Sequence, residues 1–160
     1  MATTNLSFYD KDSIPDAAKF RFGIVVSEWN ADITDPLHSG ALDTLLAHGA
    51  LAENIVSLHV PGSFELIYGC KRLIEGKKLD AVIAIGNVIK GETEHFTFVC
   101  QGVTQGIKDL NLKYDVPTIF CVLTDHTKQQ SLDRSGGKHG NKGTECAIAA
   151  IKMAAINKNL

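Results

Sequence analysis

Apolar residues in this chain come in short unbroken runs, which alternate with stretches where they recur every three or four positions. The runs at residues 20–27, 54–60, 80–86 and 117–124 have strand length and few charges, as expected of strands buried on both faces. Between them the spacing is helical. Leu37, Ala41, Leu42, Leu45 and Leu46 mark a helix stopping near Gly49, and residues 64–74 predict a second, closed by Gly76. A third is expected over residues 92–110, with Phe96, Val99, Cys100, Val103 and Ile107 along one face. The fourth run is led in by Pro117, where a missing ladder donor is tolerated. Beyond it, residues 127–134 predict a short helix, 135–143 a glycine-rich loop and 144–157 an alanine-rich final helix.

Strict alternation of strand and helix predicts an α/β fold: a three-layer αβα sandwich of the flavodoxin-like class, with a four-stranded parallel sheet and right-handed crossovers. Residues 20–160 form its single domain, and residues 1–19 read as an N-terminal arm outside the core, mobile or laid along a neighbouring subunit. Ligands of such sheets bind beyond the carboxyl ends of the strands. That rule selects the loops at residues 27–30, 60–65, 87–95 and 124–126 before any chemistry is considered.

Composition mainly excludes. A chain of 160 residues suits one domain, and at that size roughly 70% of the unfolded surface becomes buried without staples. With 21% charged residues and a net charge of −2, nothing favours nucleic acid or a membrane surface. Cys70, Cys100, Cys121 and Cys146 are widely spaced within apolar segments, as expected of reduced thiols in the cytoplasm. The beginning of the chain has no apolar signal region, and no window approaches a membrane span.

Candidate chemistry concentrates after the third run. Gly86-Asn87-Val88-Ile89-Lys90-Gly91-Glu92-Thr93-Glu94-His95 leads from a strand through a glycine-bearing turn into a helix start. Backbone N–H groups near Gly91, Glu92 and Thr93 lack helical partners there, and together with the helix dipole and the Thr93 hydroxyl they suit a phosphate. His95 at a positive helix end is favoured as a neutral ring, hence as a general base; otherwise it is a histidine packed on a helix shoulder. Trp29, the single tryptophan, either stacks on a planar ligand or plugs the end of the core. Glu65 either accepts hydrogen bonds from a polyol or merely satisfies the helix dipole. Beside it, the amides of Ser63 and Phe64 can hold the edge of a heterocycle. Arg134, Lys138 and Lys142 surround the glycines of residues 136–143, giving an anion site or a solvated connector without the G-x-x-x-x-G-K-[ST] pattern. The histidines lack metal-ligand spacing, so no metal is expected. With no G-x-S-x-G elbow, covalent hydrolase chemistry is disfavoured.

Four motifs, Ser27-Glu28-Trp29-Asn30, Val60-Pro61-Gly62-Ser63-Phe64-Glu65, Gly86 through His95 and Arg134 through Gly143, resemble those of the 6,7-dimethyl-8-ribityllumazine synthase family. The resemblance runs from Phe20 to the C-terminus. It implies condensation of 5-amino-6-(D-ribitylamino)uracil with 3,4-dihydroxy-2-butanone 4-phosphate in riboflavin biosynthesis, through an imine, loss of phosphate and ring closure, without cofactor or metal. By matching position, Trp29 would stack on the pyrimidine near Asn30, with backbone groups of Ser63, Phe64, Val88 and Ile89 along its edges. Glu65 would hold the ribityl hydroxyls. Gly91, Glu92, Thr93 and Arg134 would bind the phosphate, and His95 would move protons. Phe120, Lys142 and Arg134 match positions reaching in from an adjacent subunit, which implies active sites between neighbours of a homopentamer. Some family members close into an icosahedral shell of sixty subunits. Residues 136–143 align to those members without an insertion, so a shell is expected here, with riboflavin synthase as a possible associate.

The chain also departs from many relatives, with Lys90 in place of an arginine, Cys121 of a glycine, Asp125-His126 of a Thr-Glu pair and His139 of a small residue. A flavin-binding protein and a catalytically silent cage of the same fold are the competing readings, because fold alone does not choose among them.

Overall fold

The computed structural model describes residues 7–159. The strands are β1 (Phe22–Ser27), β2 (Ile55–Val60), β3 (Ala81–Ile89) and β4 (Thr118–Asp125). They alternate with α1 (Ala31–Ala47), α2 (Leu66–Gly76) and α3 (His95–Lys113). A short α4 (Lys128–Arg134), a ribbon of β5 (Ser135–Gly137) and β6 (Gly140–Asn141), and α5 (Lys142–Asn159) complete the order. All four long strands are parallel in the order β2-β1-β3-β4, with Phe22 opposite both Ile55 and Ala81, and Ile85 opposite Cys121. The expected α/β sandwich with a four-stranded parallel sheet is therefore the observed fold.

Alternation along β1 builds the layers. Phe22, Ile24 and Val26 point into a core shared with Leu37, Ala41 and Leu45 of α1 and with Ala147, Ala150 and Ile151 of α5. Val25 points the other way, toward Leu66 and Leu73 of α2 and Val103 and Ile107 of α3. β1 and the first seven residues of β3 are buried on both faces because each face has its own helix pair, which is why those runs carry no polar alternation; the edge strand β2 instead exposes Ser57 and His59.

Several boundaries move for identifiable reasons. β3 continues three residues past Gly86 and stays paired with β4 as far as Ile89 opposite Asp125. Gly86 is thus a strand residue whose missing side chain makes room for Ser63: a Cβ there would lie 2.6 Å from the Ser63 hydroxyl. α3 begins at His95, so Gly91, Glu92 and Thr93 form the loop before it and are not helical. The glycine-rich stretch expected as a loop is a small antiparallel ribbon, and α5 starts earlier, at Lys142.

The arm is the larger correction. Residues 1–6 lie outside the described part, but from Ser7 the segment rests on its own domain. Ser7 exchanges hydrogen bonds with the backbone of Asn141 (2.6 and 2.9 Å), and Tyr9 packs on the His48 ring. Ile14 packs on the core and Ala17 is fully buried within it. Small and apolar side chains there filled the gap between the end of α1 and the sheet, which charge content alone obscured. Among the described residues, no helix is long and apolar enough to cross a membrane.

Candidate active site

The chain leaves β1 toward the α1 face and leaves β3 toward the α3 face, so a crevice opens between these strand ends at the switch point of the sheet. The β1 end is held open by backbone bonds to the β2 end: Glu28 N–H donates to Val60 O (2.8 Å) and Trp29 N–H to Pro61 O (3.1 Å). Asn30 then takes a left-handed conformation at φ 60° and starts α1, its carbonyl accepting from Ile33 and Thr34. This abrupt turn leaves Trp29 outside the core, 72% exposed. The plug alternative for Trp29 fails on that exposure.

A cavity of about 700 Å³ fills the crevice, lined by Trp29, Asn30, Ser63, Phe64, Glu65, Val88, Ile89 and His95. Phe64 is half exposed, its ring seated on Gly102 of α3, where a Cβ would come within 2.7 Å. Glu65 folds back over Gly62, whose position would place a Cβ 2.9 Å from the carboxylate and 4.0 Å from the Trp29 ring. Two exposed aromatics, a carboxylate and free strand-end backbone thus converge on one concave surface. His95 lies at its rim, exposed at the first residue of α3. Its backbone N–H donates to Thr93 Oγ1 (3.4 Å), while no protein group accepts from the N–H of Gly91, Glu92 or Thr93 among the described residues. The anion-ready amides are therefore present, but in a loop and not in a helical turn.

Four members of this wall had been given no site role in the reading of the chain: Gly62, Asn87, Phe98 and Val99. Phe98 is 69% exposed on the side of α3 away from the core; an aromatic off the apolar stripe was the available signal. Asn87 is a buried amide in an apolar strand, which was also a signal. It accepts from Asn30 Nδ2 (2.9 Å) and donates to Ser131 Oγ (2.9 Å), and its carbonyl accepts from Ser63 Oγ (3.2 Å). Ser131 in turn donates to Asp125 Oδ2 (2.7 Å). The network locks the ends of β1, β3 and β4 and the loop after β2 to one another.

Arg134, Phe120 and Lys142 do not line this cavity. Arg134 lines a second, smaller hollow with Thr124, Asp125, His126, Gln130 and His139. Its Nη1 donates to His139 O (2.8 Å) and its Nη2 pairs with Glu145 (2.8 Å). The other Glu145 oxygen takes Lys142 Nζ (3.0 Å), so one largely buried carboxylate orients both cations. Glu145 was not foreseen, because its role exists only once the ribbon brings Arg134 at the end of α4 beside the first turn of α5. Phe120 is half buried on the α2/α3 face of β4. Among the described residues, no group of three or more His, Cys, Asp or Glu side chains is placed to hold a metal.

The comparison with known proteins decides between ligand classes that this geometry alone leaves open. A family model described as 6,7-dimethyl-8-ribityllumazine synthase matches residues 19–158. The chain belongs to the 6,7-dimethyl-8-ribityllumazine synthase family. Relatives bearing that name include one from Flavobacterium psychrophilum, 66% identical over 98% of this chain and 83% of the relative. Another, from Christiangramia forsetii, is 64% identical over 99% of this chain and 96% of the relative. A third, from Flavobacterium johnsoniae, is 63% identical over 99% and 84%.

Proposed function

We propose that this chain condenses 5-amino-6-(D-ribitylamino)uracil with 3,4-dihydroxy-2-butanone 4-phosphate, in sites shared by adjacent subunits of a homopentamer. Membership of the lumazine synthase family makes it a transferase of riboflavin biosynthesis. The observation that supports the finer reading is the separation of Trp29, Glu65 and His95 from Arg134 into two hollows of one chain.

In the proposed site the pyrimidine lies between Trp29 and the strand-end backbone of Val88 and Ile89, with its edge on Ser63 and Phe64 and its ribityl hydroxyls on Glu65. The phosphate sits on the amides of Gly91, Glu92 and Thr93, facing the partner subunit's Arg134. A guanidinium has five N–H donors; two bonds hold Arg134 within its own chain, and the remainder suit a phosphate. His95, whose ring has no partner among the described residues, moves protons during imine formation and phosphate loss. Both substrates are intrinsically reactive, so positioning supplies most of the acceleration. The partner subunit's Phe120 and Lys142 close the pyrimidine side. The same reading includes a cytoplasmic location and closure of pentamers into a sixty-subunit shell, which light scattering checks by particle size.

Mixing two inactive variants tests the shared site. Trp29→Ala and Arg134→Ala chains, co-expressed and assembled, should regain about a quarter of wild-type turnover, the fraction of ring contacts that join two intact halves. Turnover is read as enzyme-dependent appearance of lumazine absorbance with release of phosphate. Mixed assemblies no more active than either parent would reject the shared site, since a site within one chain always carries a lesion.

Glu145→Gln should raise the KM for the butanone phosphate about fivefold, the equivalent of roughly 1 kcal/mol for one weakened charged contact, with kcat nearly unchanged. Glu145→Asp should restore part of the loss. An unchanged KM in the Gln variant would remove Glu145 from the orientation of Arg134.

A further inference from the structure

The N-terminal arm meets the chain beside the residues that carry its cations. Ser7 is half buried, and its hydroxyl serves both main-chain groups of Asn141: it donates to Asn141 O (2.9 Å) and accepts from Asn141 N–H (2.6 Å). The rest of the arm is secured elsewhere, by Tyr9 against the His48 ring and by Ile14 and Ala17 in the core. The hydroxyl of Ser7 therefore acts on the ribbon more than on the arm.

Asn141 is a junction. It stands opposite Ser135, which follows Arg134, and it precedes Lys142, the first residue of α5. Its side chain caps that helix: Oδ1 accepts from Gly143 N–H (2.8 Å), while Nδ2 donates to Pro36 O of α1 (2.9 Å). A side chain caps a helix only while its own backbone is held outside the helical conformation, and the two bonds from Ser7 hold it. The first turn set in this way carries Lys142 and Glu145. Glu145 takes Lys142 Nζ (3.0 Å) on one oxygen and pairs with Arg134 Nη2 (2.8 Å) on the other.

We propose that Ser7 is a positioning residue for the condensation. It touches no substrate: it fixes the backbone of Asn141, Asn141 fixes the first turn of α5, and that turn aims Lys142 and Arg134. This rests on the proposed function, in which both cations face the neighbouring subunit's substrates. Without the hydroxyl, the N–H and carbonyl of Asn141 turn to water, the cap loosens and the cations spread over more orientations. The loss falls on substrate binding, because His95 lies on a different loop.

Steady-state kinetics and amide hydrogen exchange on the assembled, full-length protein test it. Ser7→Ala should raise the KM for the butanone phosphate about threefold, the scale of one lost hydrogen bond, with kcat within about twofold of wild type. Exchange at residues 141–145 should quicken in the same variant. Ser7→Thr, which keeps a hydroxyl, should restore both. Ser13→Ala is the control: that hydroxyl donates to Asp10 O (2.7 Å) inside the arm, so its loss should leave the KM unchanged. Faster exchange at residues 141–145 with an unchanged KM would reduce Ser7 to a structural contact and overturn the proposal, as would unchanged exchange. Glu145→Gln in the same assay separates this failure from that of the proposed site. If Glu145→Gln raises the KM and Ser7→Ala does not, only the role of Ser7 falls; if neither does, the placement of Arg134 falls with it.

Discussion

Gly143→Ala is expected to leave the subunit unable to hold its native packing. Gly143 opens α5 where that helix crosses the middle of α1, and it is buried there. A Cβ at this position would lie 1.9 Å from the carbonyl oxygen of Leu37 and 2.8 Å from its carbon. The obstacle is helix backbone, so no rotamer relieves it. Asn141 tightens the same contact: its Oδ1 accepts from Gly143 N–H (2.8 Å), while its Nδ2 donates to Pro36 O (2.9 Å). To admit one methyl group, α1 and α5 must part along a seam of Leu37, Ala41, Ala147 and Ala150, all fully buried. Overpacking that shifts backbone costs about 3 kcal/mol, a large share of a net stability of order 5–15 kcal/mol. The expected result is insoluble expression or a thermal midpoint many degrees lower at equal subunit concentration. Gly76→Ala is the control, because nothing lies within 4 Å of its added Cβ; it should stay within about 1 kcal/mol of wild type. A Gly143→Ala protein melting with wild type would show that the seam yields more easily than its geometry implies.

The strand and helix alternation was legible because the central strands β1 and β3 are buried on both faces by the helix layers, which leaves uninterrupted apolar runs, and because the edge strands β2 and β4 keep runs of strand length with few charges. What failed were positions whose state is set by a residue far away. Gly86 reads locally as the end of a strand, yet it lies inside one because Ser63 occupies the space where a side chain would be. The ribbon of β5 and β6 was hidden by glycines that suit loops equally well, and the arm by its charges. At the site, Trp29, Glu65 and His95 were legible as unusual residues at strand ends, whose position follows from topology alone. Their separation from Arg134 was implied by the family resemblance alone, since motif order along a chain carries no information on which side of the strand ends each motif faces. Glu145 and Ser131 have ordinary helical neighbours and acquire importance only through partners on other elements.

Asn87→Ala is expected to weaken both the fold and the binding of the ribitylaminouracil. Asn87 is 3% exposed, and its amide satisfies Asn30 Nδ2 on one side and Ser131 Oγ on the other. Truncation leaves a small cavity between β3 and α4 and removes the acceptor of the side-chain amide of Asn30, the residue whose φ of 60° sends Trp29 outward. A buried hydrogen-bonded network loses more than one average bond when a central member is cut, so the expected destabilisation is about 2–3 kcal/mol. Asn87→Asp should be worse despite its equal size. It keeps the acceptor for Asn30 but turns the donor facing Ser131 into a second acceptor, and Ser131 already gives its proton to Asp125. The result is an unpaired buried carboxylate beside another carboxylate. Urea unfolding of the three proteins at one subunit concentration should give midpoints in the order wild type, Ala, Asp. Quenching of the Trp29 fluorescence by the uracil substrate should then need several-fold more ligand in the Ala variant than in wild type. Equal quenching curves alongside a lowered midpoint would confine Asn87 to the fold and leave the Trp29 turn to be set by the backbone bonds of Glu28 and Trp29 alone.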